Sequence, residues 1–144
     1  MELPFRRVRP EGQLPLAQHP GDAGLDLRSA IDAVVAPGER VPIPTGVAVA
    51  IPEGHAGLVL PRSGLASRDG LTMANAPGLI DAGYRGEVIC AAVNLDRERP
   101  VEIHEGDRIA QLVIVALPDV AAVWVEELPG SSRGDGGFGS TGSA

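Results

Sequence analysis

Lysine is absent from this 144-residue sequence, and aromatic side chains make up only 3% of it. The missing lysine excludes a phosphate-binding P-loop and Schiff-base chemistry, because both need a lysine amine. With so few aromatic rings, the core of a chain that is 44% hydrophobic must consist of valine, isoleucine, leucine and alanine. The length suits one hydrophobic core, so we expect one domain in residues 1–128 and a tail in residues 129–144.

Cysteine and histidine are also scarce. Cys90 is the single cysteine, which excludes an intrachain disulfide, and its apolar neighbours favour a buried side chain. The 3 histidines lie far apart and lack metal-ligand spacing, so no zinc site is expected. No stretch reaches the roughly 20 apolar residues of a membrane span, and the N-terminus lacks the apolar region of a signal peptide. These features predict a soluble cytoplasmic protein without a membrane partner.

Acidic residues outnumber basic residues, and the net charge of the chain is −7. A nucleic-acid partner is therefore not expected, since binding to its phosphates needs clustered cations. A small polyanionic substrate would instead need a local cationic pocket or a metal ion. All 12 basic residues are arginines, whose planar guanidinium groups suit phosphate recognition.

Short apolar runs separated by 19 glycines and 13 prolines indicate an all-β chain that closes as a sandwich, jelly roll or barrel. The predicted strands are residues 3–8, 24–29, 33–36, 40–44, 46–51, 55–60, 71–74, 78–81, 87–94, 101–103, 109–117 and 120–126. One short helix is predicted over residues 63–68, with Ser63 as its N-cap and Gly70 ending it.

The tail changes in composition to glycine and serine, so we expect it to be flexible when free. A flexible end without a role is the ordinary interpretation of such a segment. Against it stand one arginine and one aromatic ring, Arg133 and Phe138, beside hydroxyls and backbone amides that could wrap an anion.

Segment 61–66 places Arg62 before Ser63 and Gly64 at the start of the predicted helix. A guanidinium, a hydroxyl and a glycine amide at a helix N-terminus suit an anion. An ordinary turn with an exposed arginine is an equally good interpretation of this segment alone.

Segment 75–87 joins two apolar runs through a glycine-flanked acidic turn and predicts a β-hairpin. Its Asp81 could act as a general base on water or simply stabilise the turn. Two further polar residues, Asp26 and Gln111, interrupt apolar strands, and Asp26 should point away from the face of its apolar neighbours. Each could equally be a satisfied surface group.

Together and in this order, five segments resemble the motifs of the dUTPase family. They are residues 23–27, 61–66, 78–86, 106–111 and 133–142. The resemblance implies an all-β, jelly-roll-like or distorted β-barrel fold with one short helix. It also implies hydrolysis of dUTP to dUMP and pyrophosphate, Mg²⁺ as cofactor, and a homotrimer whose active sites are shared between subunits.

The resemblance further assigns roles to single residues. Asp81 would be the general base that takes a proton from the water attacking the α-phosphate, and Asp26 would support Mg²⁺ indirectly through water. The phosphates would be bound by Arg62, Ser63, Gly64 and Gln111. Tail residues that would close over the substrate are Arg133, Phe138, Gly139, Ser140 and Thr141, with Phe138 stacking on the base.

The nucleoside would be held by the third motif and its surroundings. Tyr84 would pack on the sugar and leave no space for a 2′-hydroxyl. Uracil would be read by Asn75 and by backbone groups around Leu79 and Ile80, with Ile89 nearby.

Two alternatives stay open at this stage. A dCTP deaminase of the same fold would release ammonia from the base, although Asp81, Tyr84 and Phe138 match the hydrolase pattern better. A non-catalytic nucleotide-binding or protein-interaction module could retain the fold without turnover. A zinc-dependent deaminase is excluded, since its cysteine and histidine ligands are missing.

Overall fold

The computed structural model describes residues 1–132 and 134–135, and this part of the chain contains ten strands and one helix. In chain order these are β1 Phe5–Arg7, β2 Leu25–Arg28, β3 Ala33–Val35, β4 Arg40–Val49, β5 His55–Pro61, α1 Ser63–Asp69, β6 Leu71–Met73, β7 Gly78–Ile80, β8 Glu87–Asn94, β9 Val101–Ile103 and β10 Arg108–Ala116.

The strands form two four-stranded antiparallel sheets and a two-stranded ribbon. The first sheet has the order β1-β4-β8-β6, the second has the order β2-β10-β5-β7, and β3 pairs with β9. Both sheets contribute to one aliphatic core, in which Leu27, Ile43 and Leu112 are fully buried. The predicted all-β, jelly-roll-like fold with one short helix is confirmed. Within the described residues, no helix has the length and apolar character needed to cross a membrane.

Strand β4 is one element where the sequence predicted two. Its pairing with β8 shifts in register between Pro44 and Ala48, and Gly46 within the shift has a φ of +72°. A bulge of this kind bends a strand without ending it. The glycine that suggested a break therefore marks a bulge inside one continuous strand.

Helix α1 ends as predicted but begins differently. Gly70 terminates it in the left-handed conformation, with a φ of 71°. The prediction of Ser63 as N-cap is wrong: the N-cap is Arg62, whose backbone is extended and whose side chain makes no capping hydrogen bond. Because Arg62 stands outside the helix, its side chain is available to the neighbouring strands.

The predicted β-hairpin over residues 75–87 is also wrong. Strand β7 pairs with β5 in the second sheet, whereas β8 pairs with β4 and β6 in the first. The turn between β7 and β8 therefore crosses from one sheet to the other. Two neighbouring apolar runs indicate two strands, but their local sequence does not determine which strands they pair with.

The segment after β10 is irregular, which contradicts the strand predicted over residues 120–126. Its apolar side chains are exposed, and Trp124 is fully so. A run of valines favours a strand only where a partner strand covers it. The division into a domain over residues 1–128 and a flexible lid over residues 129–144 stays a prediction.

Candidate active site

A cavity of about 710 Å³ lies where β2, β10, the end of β5 and the start of α1 meet. We call it the arginine cavity, after the three arginines in its wall, Arg62, Arg68 and Arg108. It also brings together five of the residues predicted to bind phosphate or metal, which are Asp26, Arg62, Ser63, Gly64 and Gln111. These residues come from three separate sequence motifs, so the fold assembles them.

Asp26 holds two of the arginines in place. Its Oδ1 lies 3.3 Å from Nε of Arg62, and its Oδ2 accepts a hydrogen bond of 3.1 Å from Nη1 of Arg108. Arg62 also donates to the backbone oxygen of Arg108 at 3.1 Å. Asp26 is 9% exposed, on the face opposite the core residue Leu27, as its alternation in β2 predicted. The pair of guanidinium groups keeps a net positive charge and a defined orientation, as a phosphate site requires.

The role of Arg108 was not predicted from the sequence. Its place in the fourth motif was the available signal, but only the pairing of β10 with β2 brings it to the first motif. Side-chain contacts between distant motifs depend on strand register, which the sequence alone did not specify.

Gln111 stands directly opposite Asp26 on one side and Leu60 on the other, so the three side chains share one face of the sheet. Its Nε2 donates a hydrogen bond of 3.1 Å to the backbone oxygen of Pro61. One amide hydrogen is thereby used to hold the carboxamide in place. The second hydrogen of the same nitrogen can donate to an anion in the arginine cavity.

A second cavity, of about 200 Å³, lies between β5, β7 and the start of β8. We call it the turn cavity, because the turn of residues 81–86 forms its rim. Val59, Met73 and Cys90 contribute to an apolar floor. The cavity brings together all of the residues predicted to read the nucleoside and the predicted base, which are Asn75, Leu79, Ile80, Asp81, Tyr84 and Ile89.

The turn that carries Asp81 has a defined internal structure. The Tyr84 N–H donates to the backbone oxygen of Asp81 at 3.0 Å, and Tyr84 Oη donates to the backbone oxygen of Glu87 at 2.9 Å. The tyrosine ring folds back over Gly86, where any Cβ would collide with it. Gly86 thus allows the ring position that places Tyr84 at the cavity rim.

Glu87, which was not predicted from the sequence either, also lines the turn cavity. Its carboxylate accepts a hydrogen bond of 2.7 Å from Nε of Arg9 and one of 2.9 Å from the backbone N–H of Gly46. The Arg9 hydrogen bond, assisted by that of Gly46, lowers the pKa of the Glu87 carboxyl below its ordinary value. The group is therefore a carboxylate at neutral pH. Arg9 lies outside the five motifs, so no sequence signal pointed to the pair.

Within one chain the two cavities are separate: no residue of the described part lines both. Ile80 pairs with Gly57 near the start of β5, whereas Arg62 follows the last residue of that strand. Continuing the register places Asp81 beside Ala56, so Asp81 and Arg62 are separated by roughly 20 Å along β5 at about 3.3 Å per residue.

The described residues contain no group of three or more histidine, cysteine, aspartate or glutamate side chains able to hold a metal ion. Asp26 is already engaged by two arginines. This donor set does not form a protein cage for a divalent ion, but it suits an ion that is held mainly by a ligand's own phosphates. The predicted tail residues Arg133, Phe138, Gly139, Ser140 and Thr141 lie outside the described residues.

A family model described as dUTPase matches residues 10–142. The chain belongs to the dUTPase family. A deoxyuridine 5′-triphosphate nucleotidohydrolase from Thermobifida fusca is 54% identical over 142 residues, covering 99% of this chain and 79% of that relative. Another, from Corynebacterium glutamicum, is 56% identical over 137 residues, covering 94% of this chain and 92% of the relative.

Solved dUTPase structures are similar over most of the chain. A variant of the Staphylococcus bacteriophage 80alpha dUTPase with dUpNHpp has a TM-score of 0.91 at 34% identity and covers 99% of both chains. A variant of the dUTPase from phage phi11 of S. aureus, described with a structural Mg(II) ion, has a TM-score of 0.82 at 33% identity. It covers 88% of this chain and 98% of its own. The resemblance of the five motifs to this family is thus confirmed.

Proposed function

We propose that this dUTPase hydrolyses dUTP to dUMP and pyrophosphate with Asp81 as the base that activates water for attack at the α-phosphate. The reaction is that of the family to which the chain belongs. The position of Asp81 supports its assignment, since it starts the turn at the rim of the cavity that carries the predicted nucleoside residues. A base must lie within hydrogen-bond reach of the water that it deprotonates.

We propose that uracil enters the turn cavity and is read by β7. This strand is the outer strand of its sheet, so some of its backbone N–H and C=O groups face away from β5. Those groups can pair with the polar edge of a pyrimidine, and Asn75 adds a side-chain amide. Mismatched hydrogen bonds would reject cytosine by about 10⁴-fold or more. Rejection of a methylated base depends on the bound uracil leaving too little room for a methyl group in the turn cavity.

We propose that the triphosphate lies in the arginine cavity, against Arg62, Ser63, Gly64 and Gln111. The guanidinium, hydroxyl and amide donors there match phosphate oxygens. Arg133, Ser140 and Thr141 of the tail would complete the phosphate site, Gly139 would allow a close backbone approach, and Phe138 would stack on the base.

The active site is proposed to form between copies of the chain in a homotrimer. The roughly 20 Å between Asp81 and Arg62, at about 3.3 Å per residue of β5, is too long for both to contact the reacting end of one nucleotide. A turn cavity of one subunit facing the arginine cavity of the next removes this difficulty. The exposed apolar side chains after β10, including Val123 and Trp124, give a surface for such contacts.

Mg²⁺ is the proposed cofactor. The donor set favours an ion held by the substrate phosphates and water, with Asp26 acting through water. When bound, the ion would supply positive charge that offsets the charge of the phosphates. The protein has a net charge of −7, and its own positive side chains are all arginines. A cytoplasmic location, with neither nucleic acid nor membrane as partner, completes the proposal.

The experiment that tests the base is the substitution Asp81→Asn, compared with Glu53→Gln, an exposed carboxylate that lines neither cavity. Asp81→Asn should lower kcat for dUTP by about 10²- to 10⁴-fold while the variant still binds a non-hydrolysable dUTP analogue. Glu53→Gln should keep the parent kcat. Hydrolysis by Asp81→Asn at the parent rate would show that another group is the base.

A parallel assay with dCTP distinguishes a dUTP hydrolase from a dCTP deaminase. The parent protein should release pyrophosphate from dUTP and no ammonia from dCTP. Ammonia release would mean that the cavity performs chemistry on the base rather than on the phosphate.

A further inference from the structure

An ion pair outside the five motifs connects the N-terminal segment to the turn that carries Asp81. Arg9 Nε and Glu87 Oε1 are 2.7 Å apart, and the side chain of Arg9 is 45% exposed while that of Glu87 is 16% exposed. Glu87 is the residue directly after the turn of residues 81–86 and the first residue of β8. The pair therefore lies at the base of the proposed catalytic turn.

The carboxylate of Glu87 is bound to the bulge of β4 as well as to Arg9. Its Oε1 accepts the backbone N–H of Gly46 at 2.9 Å, inside the register shift between β4 and β8. Next to it, the buried Thr45 hydroxyl donates to the backbone oxygen of Val88 at 2.7 Å. A bulge leaves backbone groups without ladder partners, and the Glu87 carboxylate satisfies one of them.

The N-terminal segment is packed tightly on the same bulge. The backbone N–H groups of Val8 and Arg9 donate to the oxygen of Gly46 at 2.8 and 3.3 Å. A Cβ at Gly46 would lie 2.6 Å from the α-carbon of Gly12, so only a residue without a side chain permits this approach. Arg9 is thus presented to Glu87 by a rigid backbone contact and not by a free terminal arm.

Whereas the side chain of Glu87 binds Arg9, its backbone carbonyl binds Tyr84. The backbone oxygen of Glu87 accepts the hydrogen bond of 2.9 Å from Tyr84 Oη. A movement of Glu87 therefore moves the acceptor that orients the tyrosine ring. Because a hydrogen bond weakens steeply with misalignment, a small displacement of Glu87 weakens the contact that orients the ring.

We infer that Arg9 and Glu87 are positioning residues that set the sugar selectivity of the enzyme by fixing Tyr84 through the bulge of β4. This inference rests on the role that the dUTPase resemblance predicts for Tyr84, which we include in the proposed function: its ring packs on the deoxyribose and leaves no space for a 2′-hydroxyl. Neither Arg9 nor Glu87 is a catalytic residue, since both act through the turn. A charged acceptor shared by a guanidinium and a backbone N–H holds its position more strongly than a neutral one would.

The experiment compares kcat/KM for dUTP with kcat/KM for UTP, which differs from dUTP by its 2′-hydroxyl. The variants are Arg9→Met, Arg9→Lys and Glu87→Gln, with Arg7→Met as a matched control at an exposed arginine of β1. Arg9→Met should lower the dUTP/UTP selectivity ratio by about tenfold, the effect of losing one charge-assisted hydrogen bond. Arg9→Lys should restore part of the ratio, and Arg7→Met should leave it unchanged.

A purely structural role would give a different result. If Arg9→Met and Glu87→Gln lower kcat/KM equally for dUTP and UTP, or change neither, the selectivity ratio stays constant and the inference is overturned. Thermal melts identify variants that do not fold. Glu87→Gln retains an oxygen that can accept the Gly46 N–H. If Arg9→Met is unfolded at the assay temperature, the selectivity ratio of Glu87→Gln is the measurement that tests the inference.

Tyr84→Ala separates this inference from the proposed function. If Tyr84→Ala leaves the selectivity ratio unchanged, the proposed sugar contact is wrong, and the inference is overturned with it. If Tyr84→Ala lowers the ratio while the Arg9 and Glu87 variants do not, only the positioning role is overturned.

Discussion

A Cβ on Gly24 would stand 2.6 Å from Oε1 of Gln111, so the bare backbone of the first motif allows the carboxamide of the fourth to occupy its position. Gln111 keeps that position by donating to the backbone oxygen of Pro61 at 3.1 Å. The glycine of one motif thus determines the geometry of a proposed phosphate-binding side chain in another.

Gly24→Ala should therefore impair catalysis more than stability. The added methyl group displaces a flexible side chain, so the free energy of unfolding should change by less than about 1 kcal/mol. Losing the Gln111 contact with phosphate should lower kcat/KM for dUTP by about 10- to 100-fold, as for a hydrogen bond to a charged group. Ser67→Ala is the control, because Ser67 is an exposed residue of α1 that lines neither cavity. Equal kinetics for the two variants would contradict this account.

Asp26→Asn should destabilise the fold and weaken phosphate binding together. The substitution removes the charge that pairs with Arg62 and Arg108 at 3.3 and 3.1 Å. We expect the free energy of unfolding, measured by denaturant titration, to fall by roughly 1 to 3 kcal/mol. Asp22→Asn, on the exposed part of the same cavity, should change it by less than about 0.5 kcal/mol. A neutral effect of Asp26→Asn would show that the ion pairs make no net contribution.

Mixing two inactive variants tests whether active sites are shared. Asp81→Asn and Arg62→Ala should each be nearly inactive, since each lacks one half of the site. When the two are co-expressed, about a quarter of the sites in randomly mixed trimers take both intact residues from different subunits, and activity should return. Persistent inactivity of verified mixed oligomers would place Asp81 and Arg62 of the same chain in one site.

Cys90 should be unreactive in the folded protein. It lies at 1% exposure in the core, and burial raises the pKa of its thiol to about 12. The thiol therefore stays protonated at pH 8, and only the thiolate reacts with iodoacetamide. Mass spectrometry should detect no alkylation of the native protein and full alkylation in denaturant. Rapid labelling under native conditions would reveal local opening of β8.

Deleting residues 133–144 should separate folding from turnover. The sequence predicts a lid there, whereas the buried hydrophobic core lies in residues 27–112. We expect an unchanged melting temperature and an unchanged trimer, with a severe loss of kcat/KM for dUTP. A truncated protein with parent kinetics would show that the tail has no part in closing the site.

The elements of this fold were predicted best where local alternation of apolar residues coincides with burial. Strands such as β8 and β9 have the predicted bounds, because each supplies a core face of its own. Prediction failed over residues 120–126, whose valines are exposed and pair with no strand of the described residues. It also failed for the supposed hairpin, because the apolar character of β7 and β8 does not specify their partner strands.

Some residues of the candidate site could be predicted from the sequence and others could not. Arg62 and Gln111 were named from motifs whose residue types suit phosphate chemistry. Arg9, Glu87 and Arg108 were not, because each acquires its role from a partner far away in the sequence, such as the ion pair between Arg9 and Glu87 at 2.7 Å. Contacts of this kind depend on strand order and register.

By itself the sequence determined the all-β class, the aliphatic core and the residues capable of the chemistry, since these follow from composition, alternation and local motifs. Only the tertiary structure decided that Asp81 and Arg62 lie at opposite ends of β5, and that the turn between β7 and β8 crosses between sheets. The physical reason is that strand pairing is a long-range choice, made by the packing of both sheets around one core.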